Sequence, residues 1–566
     1  MAAELAGAVA LGVVLLSGKE LAQRLTSDPA PTSLSGVLPV VIVLGASLFV
    51  ASLAMVVDRD ARYLLSELVA HHLQREVADI AGSVEYERYE DQEFHDLLDR
   101  AGNEGTQSSI QLVYDLLALV SSALASISLL MVLAAVVPTI LPLLVLVGLP
   151  FVLAARTSAR LAYNLSYELT PSDRLRFSLY EALVSKSEAK EIRVFALHQP
   201  LRDRWERLFA DRARRLRTVA VRRALLNAGA SLASSALVAC LLLLIVGAAI
   251  DGRVAVGDSA IAIVALQQLA ARIRGSSASA GSLREAALFL QDFEQFRALR
   301  QPTQEAGAGA SLPPLRELHV EGVSFHYPGT DRTVLHGIDL TIGRNEIVAL
   351  VGQSGSGKTT LAHLVAGLYR PSEGTVTWNG ADIAAIPRPV YWRSLAVVNQ
   401  DYVQYELTAR ENIAISDYGR FDDDAAVADA AKRAGVADVL ERLPRGYDTM
   451  LSRSFDEGAA LSQGEWQRVA VARALFRDAP LIILDEPAAS LDAIAERELF
   501  DRLVELCANR SALLISHRFS TVRMAHRIYV LRDGRVAEHG THAELMSRNG
   551  QYAEMFRIQA AGYLES

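Results

Sequence analysis

The residues best suited to chemistry lie in the second half of the chain. Residues 346–351 form a short apolar run of buried-strand type. It leads into Gly352, Gln353, Ser354, Gly355, Ser356, Gly357, Lys358, Thr359 and Thr360. Glycines at this spacing let successive backbone N–H groups turn inward around a polyphosphate. The apolar-periodic stretch from Thr360 onward supplies a helix whose N-terminus adds partial positive charge. In that setting Lys358 reaches the β- and γ-phosphate oxygens and the Thr359 hydroxyl ligates Mg2+, so ATP and Mg2+ are the expected cofactors. A second apolar run, 481–484, ends in Asp485 and Glu486. Two acids capping an isolated strand would be solvated surface. After a phosphate loop they divide the work: Asp485 holds the Mg2+ shell and Glu486 polarises the attacking water as general base.

These groups must be carried on an α/β scaffold, and from about residue 315 short apolar strands alternate with amphipathic helices. The rest of the chain is different. Its 566 residues imply more than one domain. Apolar residues make up 51% and charged residues 21%, with a mean hydropathy of +0.21, which indicates that part of the chain lies in lipid. Long apolar runs occupy 36–56, 116–137, 141–155, 224–250 and 257–271. Residues 1–18 are apolar but short; they lack a basic leader region and carry Glu4, and so read as a short first spanning helix rather than a signal peptide. About six spans result, each necessarily helical in lipid.

The intervening segments 57–110 and 156–223 are long and polar, and both extend the membrane helices. The second carries Arg202, Arg204, Arg207, Arg212, Arg214, Arg215 and Arg217, which assigns it to the cytoplasm. The first shares that side because an even number of spans separates them. Residues 301–314, rich in Gly, Ala and Pro, read as a linker. The expected division is therefore a membrane domain over 1–300, a linker over 301–314 and a nucleotide-binding domain over 315–566. A net charge of −9 argues against a nucleic-acid partner. The two cysteines, Cys240 and Cys507, do not suggest a disulfide framework.

Taken together, the motifs resemble those of the ABC (ATP-binding cassette) transporter superfamily, in the arrangement of a half-size exporter. The resemblance covers essentially the whole chain. Leu461, Ser462, Gln463, Gly464 and Glu465 are similar to the family signature, and Gln467 and Arg468 continue it. Asp492 resembles the D-loop aspartate and His517 the switch histidine. Gln400 resembles the Q-loop glutamine, which the resemblance implies is a catalytic residue and Mg2+ ligand, and Tyr327 the aromatic that stacks on adenine. The segment from Gly534 to Leu545 is also similar to the exporter pattern. Two positions depart from it: Gln463 stands where the signature usually has glycine, and Glu465 where it usually ends in glutamine. The stretch before the signature looks more like the branch that exports lantibiotic-type peptides.

The resemblance implies a dimer, because in the family the signature loop of one subunit closes the ATP held by the phosphate loop of the other. A homodimer is the simplest case, with a second, different half-transporter as the other. It also implies coupling segments around residues 86–98 and 183–195, a bacterial inner-membrane location with a cytoplasmic ATPase, and alternating access driven by ATP. The cargo class it implies is a peptide, a lipid or an amphipathic small molecule. A membrane-anchored ATP-dependent regulator and an exporter-shaped importer are the other readings. Gln267, Gln268, Arg272 and Arg274 are polar residues near membrane depth. The small-residue runs 229–235 and 275–281 read as close helix packing.

Overall fold

The computed structural model describes residues 37–301, 311–487 and 510–564, with scattered positions before 37. Two compact units emerge: Met1–Val84 with Gln92–Gln301, and Glu85–Asp91 with Pro302–Ser566.

The first unit is helical. Its described helices are α1 (Leu38–Ser83), α2 (Gln92–Asp99), α3 (Thr106–Val136), α4 (Leu141–Val184), α5 (Ala189–Val194), α6 (His198–Ile250) and α7 (Val256–Ala298). Helices α1 and α6 have 46 and 53 residues. At 1.5 Å per residue that is about 70 and 80 Å, more than twice the ~30 Å hydrocarbon layer. Their polar ends therefore project well beyond a bilayer, as the alternation of apolar and charged segments anticipates.

Four helices among the described residues are long and apolar enough to span: Leu38–Ser83, Ser109–Val136, Pro138–Val184 and His198–Ile250. On α1 the side chains of Ile42, Phe49 and Met55 are exposed, the pattern of a lipid-facing surface. Helix α7 carries Gln267, Gln268, Arg272 and Arg274 along its length. Half of the positions in the expected first span over 1–18 lie outside the described residues, and the described ones are helical.

The membrane half packs around Leu129, Leu133, Leu144, Val147, Leu241, Ile245 and the small face of α7 at Ala262, Ala265 and Leu269. A Cβ on Gly281 would come within 3.1 Å of the Ala155 Cβ, and one on Gly148 within 3.1 Å of Ile273. Close approach of α4 and α7 is thus what the small residues near 281 provide. Around Gly229 and Gly275 a Cβ would meet nothing. Away from the apolar spans, Ile80, Phe94, Leu97, Phe293 and Phe296 form a separate core. Buried Arg100 pairs there with Asp292 at 3.4 Å. Cys240 is exposed and free, and Cys507 lies outside the described residues.

The second unit is the α/β cassette. Its strands are β1 (Glu317–His326), β2 (Thr333–Gly343), β3 (Ile347–Gly352), β4 (Glu373–Trp378), β5 (Ala381–Asp382), β6 (Leu395–Val398), β7 (Leu481–Asp485), β8 (Ser511–Ile515), β9 (Arg527–Arg532) and β10 (Arg535–Gly540). One sheet has the order β2-β1-β4-β5 and the other β10-β9-β3-β8-β7-β6. In the second sheet β9, β3, β8, β7 and β6 all run parallel, and β10 closes one edge antiparallel. Strands β7 and β8 are buried at every position, as continuous apolar runs in a parallel sheet must be.

A helical layer stands over β6 and β7. After α8 (Lys358–Val365) and α9 (Arg388–Arg393), it contains α10 (Ala409–Ala414), α11 (Asp424–Ala434), α12 (Ala437–Glu441) and α13 (Gln463–Phe476), with Trp466, Val469 and Phe476 in its core. Asn412 is fully buried in this layer. Its Nδ2 donates to the carbonyls of Tyr405, Leu407 and Thr408, and its Oδ1 accepts from Arg473 at 3.1 Å. Every polar atom of that side chain is therefore satisfied, the condition for burying an amide.

Candidate nucleotide site

The functional side chains converge because parallel strands all point their C-terminal ends the same way. In open α/β sheets, ligands bind just beyond those ends. Gly352 ends β3, Asp485 ends β7, and Ser516 and His517 follow β8. Residues 399 and 400 follow β6, where Gln400 is exposed in a turn. Four neighbouring strands thus deliver the phosphate loop, the paired acids, the histidine and the glutamine to one edge.

The loop itself needs glycine at two places. At Gly352 (φ +153°) a Cβ would sit 2.3 Å from the Leu531 carbonyl oxygen. At Gly357 (φ +98°), the residue capping α8 (Lys358–Val365), it would sit 2.6 Å from Leu335. Between them the Ser356 N–H donates to the Gln353 carbonyl at 3.2 Å, closing the loop. Lys358 folds back into it, with Nζ donating to the carbonyls of Gly352 at 3.0 Å and Gln353 at 2.9 Å. Burial depresses the Lys358 pKa, while the nearby carboxylates of Glu486 and Asp485 pull it back.

Asp485 is buried. Desolvation raises its pKa, and a hydrogen bond from Thr359 opposes that. Its Oδ1 is buried without a partner. A hydroxyl and a carboxylate oxygen that has nothing to bind are hard oxygen donors, and they fit a small divalent cation such as Mg2+. Glu486 adopts φ +49°, a left-handed conformation costly for a side chain of its size and held by its surroundings. Its N–H donates to the Ile515 carbonyl at 2.9 Å, and its own carbonyl accepts from Gln467 Nε2 at 3.2 Å. His517 Nδ1 donates to Glu486 Oε1 at 3.0 Å, since a carboxylate can only accept. Two of these bonds fix the backbone of Glu486, and the one from His517 holds its carboxylate.

Tyr327 is oriented as firmly. Its hydroxyl is 2.8 Å from Thr360 Oγ1, and its ring meets Phe325 edge-on at 5.1 Å. Further along the chain, Ser462 caps α13 in a reciprocal box. Its hydroxyl accepts from the Glu465 N–H, and the Glu465 carboxylate accepts from the Ser462 N–H at 2.7 Å. Either Glu or Gln can make that return bond. The departure at 465 therefore leaves the start of the helix intact, with Gln463 exposed at its first position and Gly464 at its second. Asp492 lies outside the described residues.

Three residues that the motifs do not single out belong to this neighbourhood. The Tyr402 hydroxyl donates to the Gln463 carbonyl at 2.9 Å, tying the segment after Gln400 to the signature helix. Gln559, in the C-terminal helix, donates to the His517 carbonyl at 2.9 Å. His363 lies on α8 with its Nδ1 buried and unpartnered. Neither Tyr402 nor Gln559 has local context that marks it, because each acts on a backbone atom far away in sequence.

Burial depresses the pKa of His363, with Asp401 and Glu90 opposing the shift. The folded pKa thus lies below the ordinary value of about 6.5, so the unfolded chain binds the proton first. The neutral ring's contribution to stability is complete above that value and is lost as pH falls through the folded pKa. Thermal melts of the purified protein should show the cassette transition moving down as pH drops below about 6.5, and His363→Gln should flatten that slope. An unaltered slope in the variant would assign the acid sensitivity elsewhere.

The fold and this site define a class: a P-loop nucleotide-binding cassette joined to a helical membrane half. A family model described as ABC transporter matches residues 335–489. An ATP-dependent lipid A-core flippase of Chromohalobacter salexigens is 41% identical over 269 residues, 47% of this chain and 45% of that protein. The nisin transport ATP-binding protein NisT of Lactococcus lactis subsp. lactis is 37% identical over 237 residues, 42% of this chain and 40% of that protein. The matched region thus spans less than half the length of these curated relatives. A solved bacterial Atm1-family ABC exporter with ATP bound superposes with a TM-score of 0.82 at 26% identity, covering 99% of this chain and 97% of that one. Residues 335–489 thus match the ABC transporter family, and the chain as a whole has the fold of a half-size ABC exporter, with apolar helices long enough to cross a membrane several times.

Proposed function

We propose that the chain is one half of a dimeric ATP-driven exporter, hydrolysing ATP at the site above to move a lipid, a peptide or another amphipathic molecule by alternating access. The observation that carries this reading is the pairing of an aimed carboxylate, Glu486 on His517, with the unpartnered Asp485 oxygen beside Thr359. A cassette that only bound nucleotide would have no use for the first.

Lys358 and the loop N–H groups hold the β- and γ-phosphates, and Tyr327 stacks on the base. Thr359, Asp485 and Gln400 would hold Mg2+, which when bound neutralises charge on the phosphate oxygens. Glu486 accepts a proton from the attacking water, and His517 keeps its carboxylate in place. Ser462, Gln463 and Gly464 of the partner cassette, with Asp492 at the interface, complete each site, so two chains make two sites. A homodimer satisfies this with one kind of chain. The ATPase faces the cytoplasm of a bacterial inner membrane, the side to which the arginine-rich segment 156–223 assigns it. The names of the relatives make lipid A-core and nisin the first cargoes to try.

Purified protein in inverted vesicles should accumulate a fluorescent amphiphile only with ATP and Mg2+, and EDTA should stop both accumulation and phosphate release. Turnover without accumulation of any cargo would favour a regulator. Accumulation confined to right-side-out vesicles would make it an importer.

A further inference from the structure

The helix Gln551–Leu564 is fastened to the rest of the cassette over its first two turns. Glu538 receives its start: Oε1 accepts from the Gln551 N–H at 2.6 Å and Oε2 from the Tyr552 N–H at 3.2 Å. A carboxylate at that end also suits the positive pole of the helix dipole. Tyr552 is fully buried, in one core with Ile347, Val351 and Ile528. Its hydroxyl lies 2.8 Å from His542 Nδ1, and the His542 ring lies 5.1 Å from the Phe556 ring. The direction of the helix is thereby set before residue 557.

Residues 552, 556 and 559 fall at i, i+4 and i+7, so Gln559 leaves the helix from the same side as the two packed aromatics. Its Nε2 donates to the His517 carbonyl at 2.9 Å. The His517 side chain is 54% exposed and bonds through Nδ1 to Glu486 Oε1 at 3.0 Å. An imidazole more than half exposed takes little of its orientation from packing, so hydrogen bonds at the ring and at the backbone carry it. At the ring stands the carboxylate that it has to orient. At the backbone, the bond from Gln559 fixes the peptide from which the ring projects. The flanking turn is closed by buried Ser516, whose Oγ accepts from the Arg518 N–H at 3.0 Å.

We propose that Gln559 is a positioning residue of the hydrolytic site: by holding the His517 carbonyl it sets where the imidazole stands, and so where the Glu486 carboxylate points at the attacking water. The proposal rests on the reading of His517 as the group that keeps Glu486 in place. It makes the helix Gln551–Leu564 part of the catalytic arrangement, although Gln559 acts on a backbone atom and not on the nucleotide. A single bond between neutral groups supports an effect of about two- to tenfold. That effect falls on the step that uses Glu486. Holding the phosphates is the work of Lys358 and the loop N–H groups, and is left as it was.

The test uses the full-length protein in nanodiscs, with MgATP as substrate and phosphate release as the readout. Gln559→Ala should lower kcat about two- to tenfold and leave KM for MgATP as it was, the pattern of an interaction made in the transition state. Gln559→Glu keeps the shape of the side chain but has no donor when ionised, and should lose as much; it also serves if Gln559→Ala fails to fold. In single turnover with protein in excess, adding Gln559→Ala to His517→Ala should cost nothing further, because a residue that acts through His517 then has nothing left to position. Full kcat in either Gln559 variant would overturn the proposal. So would a loss confined to KM, or an undiminished loss in the His517→Ala background, each of which would make Gln559 a prop of the fold alone. Full turnover by His517→Ala with no other change would instead remove His517 from its role, and the proposal with it. The transport reading is judged separately, by vesicle accumulation.

Discussion

Glu486→Gln is expected to reduce steady-state ATP hydrolysis by about 10²–10⁴-fold, the usual contribution of a positioned general base. The substitution preserves shape and can still accept a hydrogen bond from His517 through its amide oxygen. What it removes is the ability to take a proton from water. Binding should therefore survive, and nucleotide should remain trapped between two cassettes, visible as retained ATP after gel filtration and as a more compact particle in solution. The conformation of residue 486 sharpens the expectation. Its left-handed backbone is held by hydrogen bonds to Ile515 and from Gln467, neither of which involves the carboxylate. The variant should fold with the side chain still aimed. Full turnover by purified Glu486→Gln protein would remove the residue from the role of base.

Lys358→Ala should act at the earlier step. Here Nζ occupies the loop by bonding to the carbonyls of Gly352 and Gln353, and burial makes its charge costly. Phosphate oxygens offer that ammonium better partners than two neutral carbonyls. Charge-assisted bonds contribute about 1.5–3 kcal/mol, so MgATP affinity should drop about ten- to a hundredfold. Hydrolysis at limiting ATP should fall at least as far. Isothermal titration separates this from the Glu486 effect, since one variant loses binding and the other keeps it. Unimpaired MgATP binding by Lys358→Ala would reassign the phosphate contact.

How much of this was legible in the sequence depends on how local the chemistry is. The phosphate loop could be read directly because strand, glycines, Lys358 and helix follow one another without interruption. The pair Asp485 and Glu486 could be read because two acids directly after an apolar strand fall at the C-terminal end of the sheet. The capping box at Ser462 was written in the spacing of Ser462 and Glu465, and the structure turns an apparent departure into an equivalent solution. The packing of Tyr369 could not be read: its ring meets Tyr86 and its hydroxyl donates to Glu90, some 280 positions earlier, and no periodicity links them. Within the segment around 86–98, Tyr86–Glu90 belongs to the cassette unit, and Gln92–Asp99 packs Phe94 and Leu97 in the helical unit. The membrane half was legible as apolar length, because a helix must carry some twenty apolar residues to cross lipid.

The allocation of Glu85–Asp91 to the cassette unit bears on how such a gene could be divided. A chain cut once, near residue 301, would release the contiguous part of the cassette unit. The released piece would lack a short stretch encoded far upstream, and Tyr369 and Arg370, which bond to Glu90 and Glu85, would be left as an uncovered aromatic and basic surface. The cassette is contiguous in sequence only to a first approximation. A split version of this protein would need that acidic turn supplied in trans, or a redesigned surface at 369 and 370 to do without it.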